Sequence, residues 1–148
     1  VNKLIQIENK AKLNFKKTLN DFQKRVVKNR LQLISLLTKL KNQNNRIIAL
    51  SAPAKGMTLL NYLKLDQDYL DYATEKSKIK QGLFTPGVNI PVYSDSKILK
   101  TKPHYALLLA WNFSAEIIKN NLKYLQQGGK FIIPIPKVKI ISKYNEKN

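Results

Sequence analysis

Residues 51–56, S-A-P-A-K-G, stand between a short apolar run, I-I-A-L, and a series of apolar residues at helical spacing, Met57, Leu59, Leu60 and Leu63. A strand, a tight turn and a helix in that order present unpaired N–H groups and the positive end of a helix dipole. Lys55 adds a full charge at that end, Ser51 a hydroxyl, and the small Ala52 and Gly56 let a ligand approach the backbone. The chemistry this suits is the holding of a phosphate or another anion. The pattern is neither G-x-G-x-x-G nor G-x-x-x-x-G-K-[ST], so a plain strand-to-helix turn with a solvated lysine stays open.

Glu75 follows the next apolar segment, 69–74, nineteen positions after Gly56. In dinucleotide folds an acid about 20 positions on holds ribose hydroxyls; the alternative is a solvated acid beside Lys76 and Lys78. Trp111 and Asn112 follow Y-A-L-L-L-A. The indole suits stacking on a flat ring and the amide suits hydrogen bonding, but Trp111 reads equally as a core or rim aromatic. His104, the only histidine, lies at the start of a strand, the wrong end for such a site. Asp66, Asp68 and Asp71 lack the glycine and closing glutamate of a calcium loop. No catalytic residue and no metal ligand is expected.

The chain has 148 residues, enough for one domain with a sizeable core. It carries 27 basic and 9 acidic residues, a net charge of +18. Only Arg25, Arg30 and Arg46 are arginines, and the lysines are spread out, so no base-reading cluster is present and nucleic acid is not the expected partner. Cysteine is absent, which removes disulfides and thiolate chemistry. No run approaches a membrane span and no signal-peptide pattern opens the chain, so a cytoplasmic protein is expected. The only methionine is Met57, which suggests excision from something longer.

The elements follow from periodicity. Residues 1–20 read as a connecting arm with some helix, 21–136 as the domain and 137–148 as a basic tail. Phe22, Val26, Leu33, Leu36, Leu37 and Leu40 predict a long helix packed on a sheet, capped by Asn20 or Asp21 and ended by the asparagines at 42–45. Strands are expected at 46–50, 69–74, 92–93, 105–110 and 130–133, with an edge strand possible at 138–141. Helices are expected at 55–63 and 114–127, the latter capped by Ser114 with Ile117, Ile118, Leu122 and Leu125 inward. Between them, 77–91 is the longest irregular stretch, with Pro86-Gly87 as a type II turn. This order implies a three-layer α/β domain with a mainly parallel sheet and a long N-terminal helix. Ligands bind such sheets beyond the carboxyl ends of the strands, so 51–56, the loop after Glu75, and Trp111-Asn112 should meet in one cleft.

Four ordered blocks carry a resemblance: S-A-P-A-K-G-M-T-L-L-N-Y, K-I-K-Q-G-L-F-T-P-G-V-N-I-P-V, A-L-L-L-A-W-N-F and G-G-K-F-I-I-P-I-P. Residues 21–136 resemble the Rossmann-like C-terminal domain of S-adenosylmethionine-dependent sugar C-methyltransferases, which act on nucleotide-linked deoxysugars. The resemblance implies a zinc-binding domain and a methyltransferase domain outside this chain, and it places zinc, S-adenosylmethionine and the catalytic residues there. It implies that Ser51, Ala52, Lys55 and Gly56 hold a diphosphate, of the thymidine-diphosphate type, and that Glu75, Thr85, Gly87, Trp111 and Asn112 belong to the same cleft. Those other domains are the implied protein partners. The chain departs from the family pattern at Ser51, where glycine is usual, at Met57, where asparagine is usual, and at Asn89, where histidine is usual. Two other readings stay open: a stand-alone dinucleotide- or CoA-binding module, and a basic nucleic-acid-binding protein.

Overall fold

The computed structural model describes residues 1–143; the end of the expected tail, 144–148, lies outside the described residues. Two helices open the chain, α1 (Asn2–Lys10) and α2 (Lys16–Asn42). They are followed by β1 (Ile47–Leu50), α3 (Ala54–Leu63), β2 (Ala73–Glu75), β3 (Val92–Ser94), α4 (Lys97–Thr101) and β4 (Tyr105–Leu108). A 3-10 turn (Trp111–Phe113), α5 (Ser114–Asn120), α6 (Leu122–Gln126), β5 (Lys130–Ile133) and β6 (Lys139–Ile141) complete it.

The strands form one sheet in the order β3-β2-β1-β4-β5-β6, parallel except for the β5–β6 pair. β1 and β4 are central, and every residue in both is buried, as continuous apolar runs covered on two faces require. Alternate residues supply the two outer layers. Ile47, Ala49 and Leu107 pack with Leu33 and Leu37 of α2 and Leu60 of α3. Ile48, Leu50, Ala106 and Leu108 pack on the opposite face with Ile98 of α4 and Tyr124 and Leu125 of α6. The three-layer, Rossmann-like α/β expectation is met.

Several boundaries differ from expectation. α2 begins at Lys16, with Phe15 at the cap position and no side-chain cap, so Asn20 and Asp21 lie inside the helix. Neither residue breaks a helix, and the apolar spacing of Phe15, Leu19 and Phe22 continues straight through them. Only Leu33, Leu37 and Leu40 of α2 are buried, so the packing on the sheet expected of the whole helix holds for its second half. β2 is confined to Ala73–Glu75. Tyr69 and Leu70 belong to the turn after α3, where the Leu70 N–H donates to Asp66 O at 3.0 Å. The expected helix 114–127 is two helices broken at Asn121, and Phe113, not Ser114, caps it. The β-branched Ile117-Ile118 and paired Asn120-Asn121 hold a helix weakly. Asn121 Nδ2 instead donates back to Ile117 O at 2.8 Å, and Leu122 is left exposed rather than inward. β4 stops at Leu108, before the tight turn at Trp111.

Candidate functional site

The strand order reverses between β1 and β4, and the turn from β1 into α3 sits at that switch point. Ser51 leaves β1 with φ +70°, in the left-handed region that glycine occupies most easily. Leu109 N–H donates to Leu50 O at 3.2 Å, extending the β1–β4 pairing to the rim. Gly56 is buried against that rim: a Cβ there would lie 2.7 Å from Leu109 Cβ. The glycine therefore lets the first turn of α3 rest on the end of β4.

Two cavities flank this turn. The first is a crevice of about 340 Å³ beyond the carboxyl ends of the strands, lined among others by Ser51, Glu75, Asp95, Phe113, Glu116 and Asn120. Glu75 is fully engaged in it. Its Oε2 accepts from Ala52 N–H at 3.3 Å and from Lys80 Nζ at 3.3 Å, and its Oε1 accepts from Lys76 N–H at 2.9 Å and Ser77 N–H at 3.2 Å. Lys80 Nζ also donates to Ala52 O at 3.0 Å, so the loop after β2 is stapled to the β1–α3 turn. Burial pushes the Glu75 carboxyl upward, but the Ser77 N–H, Lys80 and the Ala52 N–H outweigh it and hold the group below its ordinary range. Asp95 goes the other way. Burial raises its carboxyl, the Thr74 hydroxyl and Lys76 offset part of that, and the Glu75 carboxylate adds to it. Asp95 Oδ1 and Thr74 Oγ1 are both buried without a partner in hydrogen-bonding geometry, so the Thr74 contact is a weak one.

The second cavity is an apolar groove of about 580 Å³ between α2 and α3, walled by Phe22, Arg25, Arg30, Lys55, Tyr62 and Trp111 among others. Among the described residues, no acidic residue lines it. Each cation lies near an aromatic ring: Arg25 5.9 Å from the Phe22 centroid, Arg30 5.5 Å from Tyr62, and Lys55 5.0 Å from Trp111 and 5.5 Å from Phe113. The ion pairs among the described residues are Lys41–Asp71 and Lys80–Glu75, so none of these three cations has a carboxylate partner.

The single cleft expected from the sequence is thus divided. Ser51 and Glu75 face the crevice, Lys55 and Trp111 the groove, and Phe113 stands at the partition, lining the crevice while touching Lys55. Ala52 is buried with its N–H and C=O both occupied, and Asn112 is exposed and lines neither cavity. Thr85 and Gly87 also lie outside both cavities. The Thr85 hydroxyl accepts Ile90 N–H at 2.9 Å, closing a loop. In that loop Gly87 takes φ +86° beneath Asn61, whose Nδ2 donates to Pro86 O at 3.0 Å. His104 lies at the far end of the sheet, where its Nδ1 accepts Arg46 N–H at 2.9 Å. Asp95, Glu116, Arg25, Arg30 and Tyr62 were not legible as site residues. Two of the three arginines falling five positions apart was the one available signal.

The model of the C-methyltransferase C-terminal domain matches residues 1–136. The chain belongs to this family. The match begins at residue 1, so α1 and the first turns of α2 fall within it. A curated relative, the C-methyltransferase NovU of Streptomyces niveus, is 35% identical over 113 residues, which is 76% of this chain and 27% of that protein. The chain therefore corresponds to little more than a quarter of that C-methyltransferase's length. No helix among the described residues is long and apolar enough to cross a membrane.

Proposed function

We propose that this domain holds a nucleotide-linked sugar, of the thymidine-diphosphate type, for a C-methyltransferase whose methyl donor and catalytic residues belong to other parts of the polypeptide. The observation that carries this reading is the Lys55 ammonium: it has no carboxylate partner among the described residues and is held by two aromatic rings at the first turn of α3, at the sheet's switch point. A diphosphate there meets a full positive charge, the N–H groups of a helix start and the positive end of its dipole. The Trp111 face beside it suits a flat ring. The crevice on the other side of Lys55, rimmed by Glu75, Asp95 and Glu116, disfavours phosphate and suits hydroxyl groups.

The residues present support placing zinc and S-adenosylmethionine outside this chain. There is no cysteine, the one histidine already accepts a backbone N–H, and Glu75, the acid placed for a ribose, accepts four hydrogen bonds. The domain alone is expected to bind and not to methylate. The nucleic-acid reading loses support because Arg46 donates to the Thr101 and Lys102 carbonyls and does not line the groove that Arg25 and Arg30 share.

Calorimetric titration with thymidine diphosphate at about 150 mM salt tests the proposal, because that ionic strength suppresses non-specific attraction to a strongly basic chain. Saturable binding that is lost in Lys55→Ala supports it. Binding of NAD instead would favour a dinucleotide module, and tight binding of S-adenosylmethionine would overturn the assignment of the methyl donor to another domain.

A further inference from the structure

The apolar stripe of α2 is longer than the body it packs on. Phe15, Leu19, Phe22 and Val26 precede Asn29, and Leu33, Leu36 and Leu40 follow it, in alternating steps of four and three. That is the spacing of a seam along one side of a helix. After Asn29 the seam is closed: Leu33 and Leu40 are 0% and 4% exposed, and Leu36 packs partly buried against the same core. Before it the same side is open: Phe15, Leu19 and Phe22 are 57%, 58% and 58% exposed. Asn29 marks the boundary, its Nδ2 donating to Pro134 O at 2.9 Å at the end of β5. Phe22 and Val26 then overhang the groove whose far wall carries Tyr62 and Trp111. A continuous exposed stripe of large apolar side chains marks a contact surface.

The charge around the stripe says what covers it. Residues 15–30 hold six basic residues and one acid, Asp21, and no ion pair among the described residues involves them. A second copy of the chain would set these cations against their own kind, which opposes self-pairing. The complementary surface is apolar at its centre and rimmed by Asp and Glu. Its source follows from length, since the chain spans 27% of the C-methyltransferase it resembles. We infer that the exposed stripe on the N-terminal half of α2 seats an acid-rimmed apolar face of the remainder of the same C-methyltransferase polypeptide. This rests on the reading that the chain is one domain of a longer enzyme, and it is independent of whether the domain binds nucleotide.

The test compares hydrogen exchange of the peptide covering 15–28 in the isolated chain and in the full-length polypeptide. Exchange at least tenfold slower in the full-length protein is expected, with β1, β4 and β5 unchanged. Phe22→Asp and Leu19→Asp should each abolish the difference while leaving β1, β4 and β5 protected, because both side chains are exposed in the isolated fold. Carbodiimide coupling should join Lys24 or Lys28 to carboxylates outside residues 1–148. Equal exchange in the two proteins, absence of such cross-links, or a full-length polypeptide no longer than this chain would overturn the inference. So would an isolated chain that sediments as a dimer dissolved by Phe22→Asp, which would make a second copy the occupant. Failure of the nucleotide titration with α2 still protected would strike only the binding proposal.

Discussion

The ammonium of Lys55 lies 5.0 Å from the centre of the Trp111 ring. Such a contact contributes about 0.5–2 kcal/mol and leaves the charge free for an anion. Trp111 is the only tryptophan, so its fluorescence reports on this one point. Thymidine diphosphate is expected to change that emission saturably. Lys55→Ala should weaken binding about tenfold or more, roughly 1.4 kcal/mol, while moving the unfolding midpoint little. A flat fluorescence titration of the unsubstituted protein would count against a ligand at Lys55.

Glu75 ties β2 to the β1–α3 turn through Ala52 and Lys80. Glu75→Ala leaves those donors without their acceptor and should cost about 1.5–3 kcal/mol, read from urea unfolding at pH 7. The folded carboxyl binds its proton more weakly than the ordinary value of 4.5. Its contribution is therefore complete above that value and is lost as pH falls through the lower, folded one. The variant's deficit should shrink over that acidic window, and a pH-independent deficit would refute the linkage.

Asp95 should show the opposite dependence. Burial raises its carboxyl above 3.8, so its contribution is present at low pH and is lost as pH rises through the folded value. Asp95→Asn removes a poorly solvated charge and offers an amide donor to the unpartnered Thr74 hydroxyl. The variant should be more stable at pH 7, with the gain fading toward pH 3. Chemical unfolding at both values decides it.

Ser51 adopts a φ of +70° at the end of β1. A non-glycine residue there carries about 1–2 kcal/mol of steric cost, partly offset by the greater freedom of glycine in the unfolded chain. Ser51→Gly is expected to raise stability by about 0.5–1 kcal/mol, seen as a higher denaturant midpoint at unchanged slope.

Gly56→Ala places a methyl group 2.7 Å from Leu109 Cβ. In a free helix this exchange would help by about 1 kcal/mol. Overpacking at the end of β4 should reverse the sign and cost about 1–3 kcal/mol. Thermal unfolding at or above the parent's midpoint would show that α3 is not seated as tightly as the geometry implies.

Much of the architecture was written locally. Residues 47–50 and 105–108 are unbroken apolar runs, and such runs belong to strands buried on both faces wherever they fall in a parallel sheet. The asparagines after α2 end it as their αL tolerance dictates, with Asn44 at φ +57°. The turn at 51–56, with Lys55 at the first turn of a helix, was likewise legible from small residues between two periodicities.

What the sequence could not decide is which way each side chain faces once the turn is made. Lys55 and Glu75 follow the same switch point, yet α3 carries Lys55 toward α2 while Glu75 turns in to bind Ala52. That choice depends on contacts between residues 23 or more positions apart, which no local pattern encodes. The resemblance put Thr85 and Gly87 in the binding cleft, but their loop closes on itself through Ile90 and is tied to α3 by Asn61. The seam of α2 shows both sides of the matter. Its heptad spacing is a property of the sequence, whereas only the tertiary structure determines that Leu33 to Leu40 find the sheet and that Phe15 to Phe22 extend past its edge.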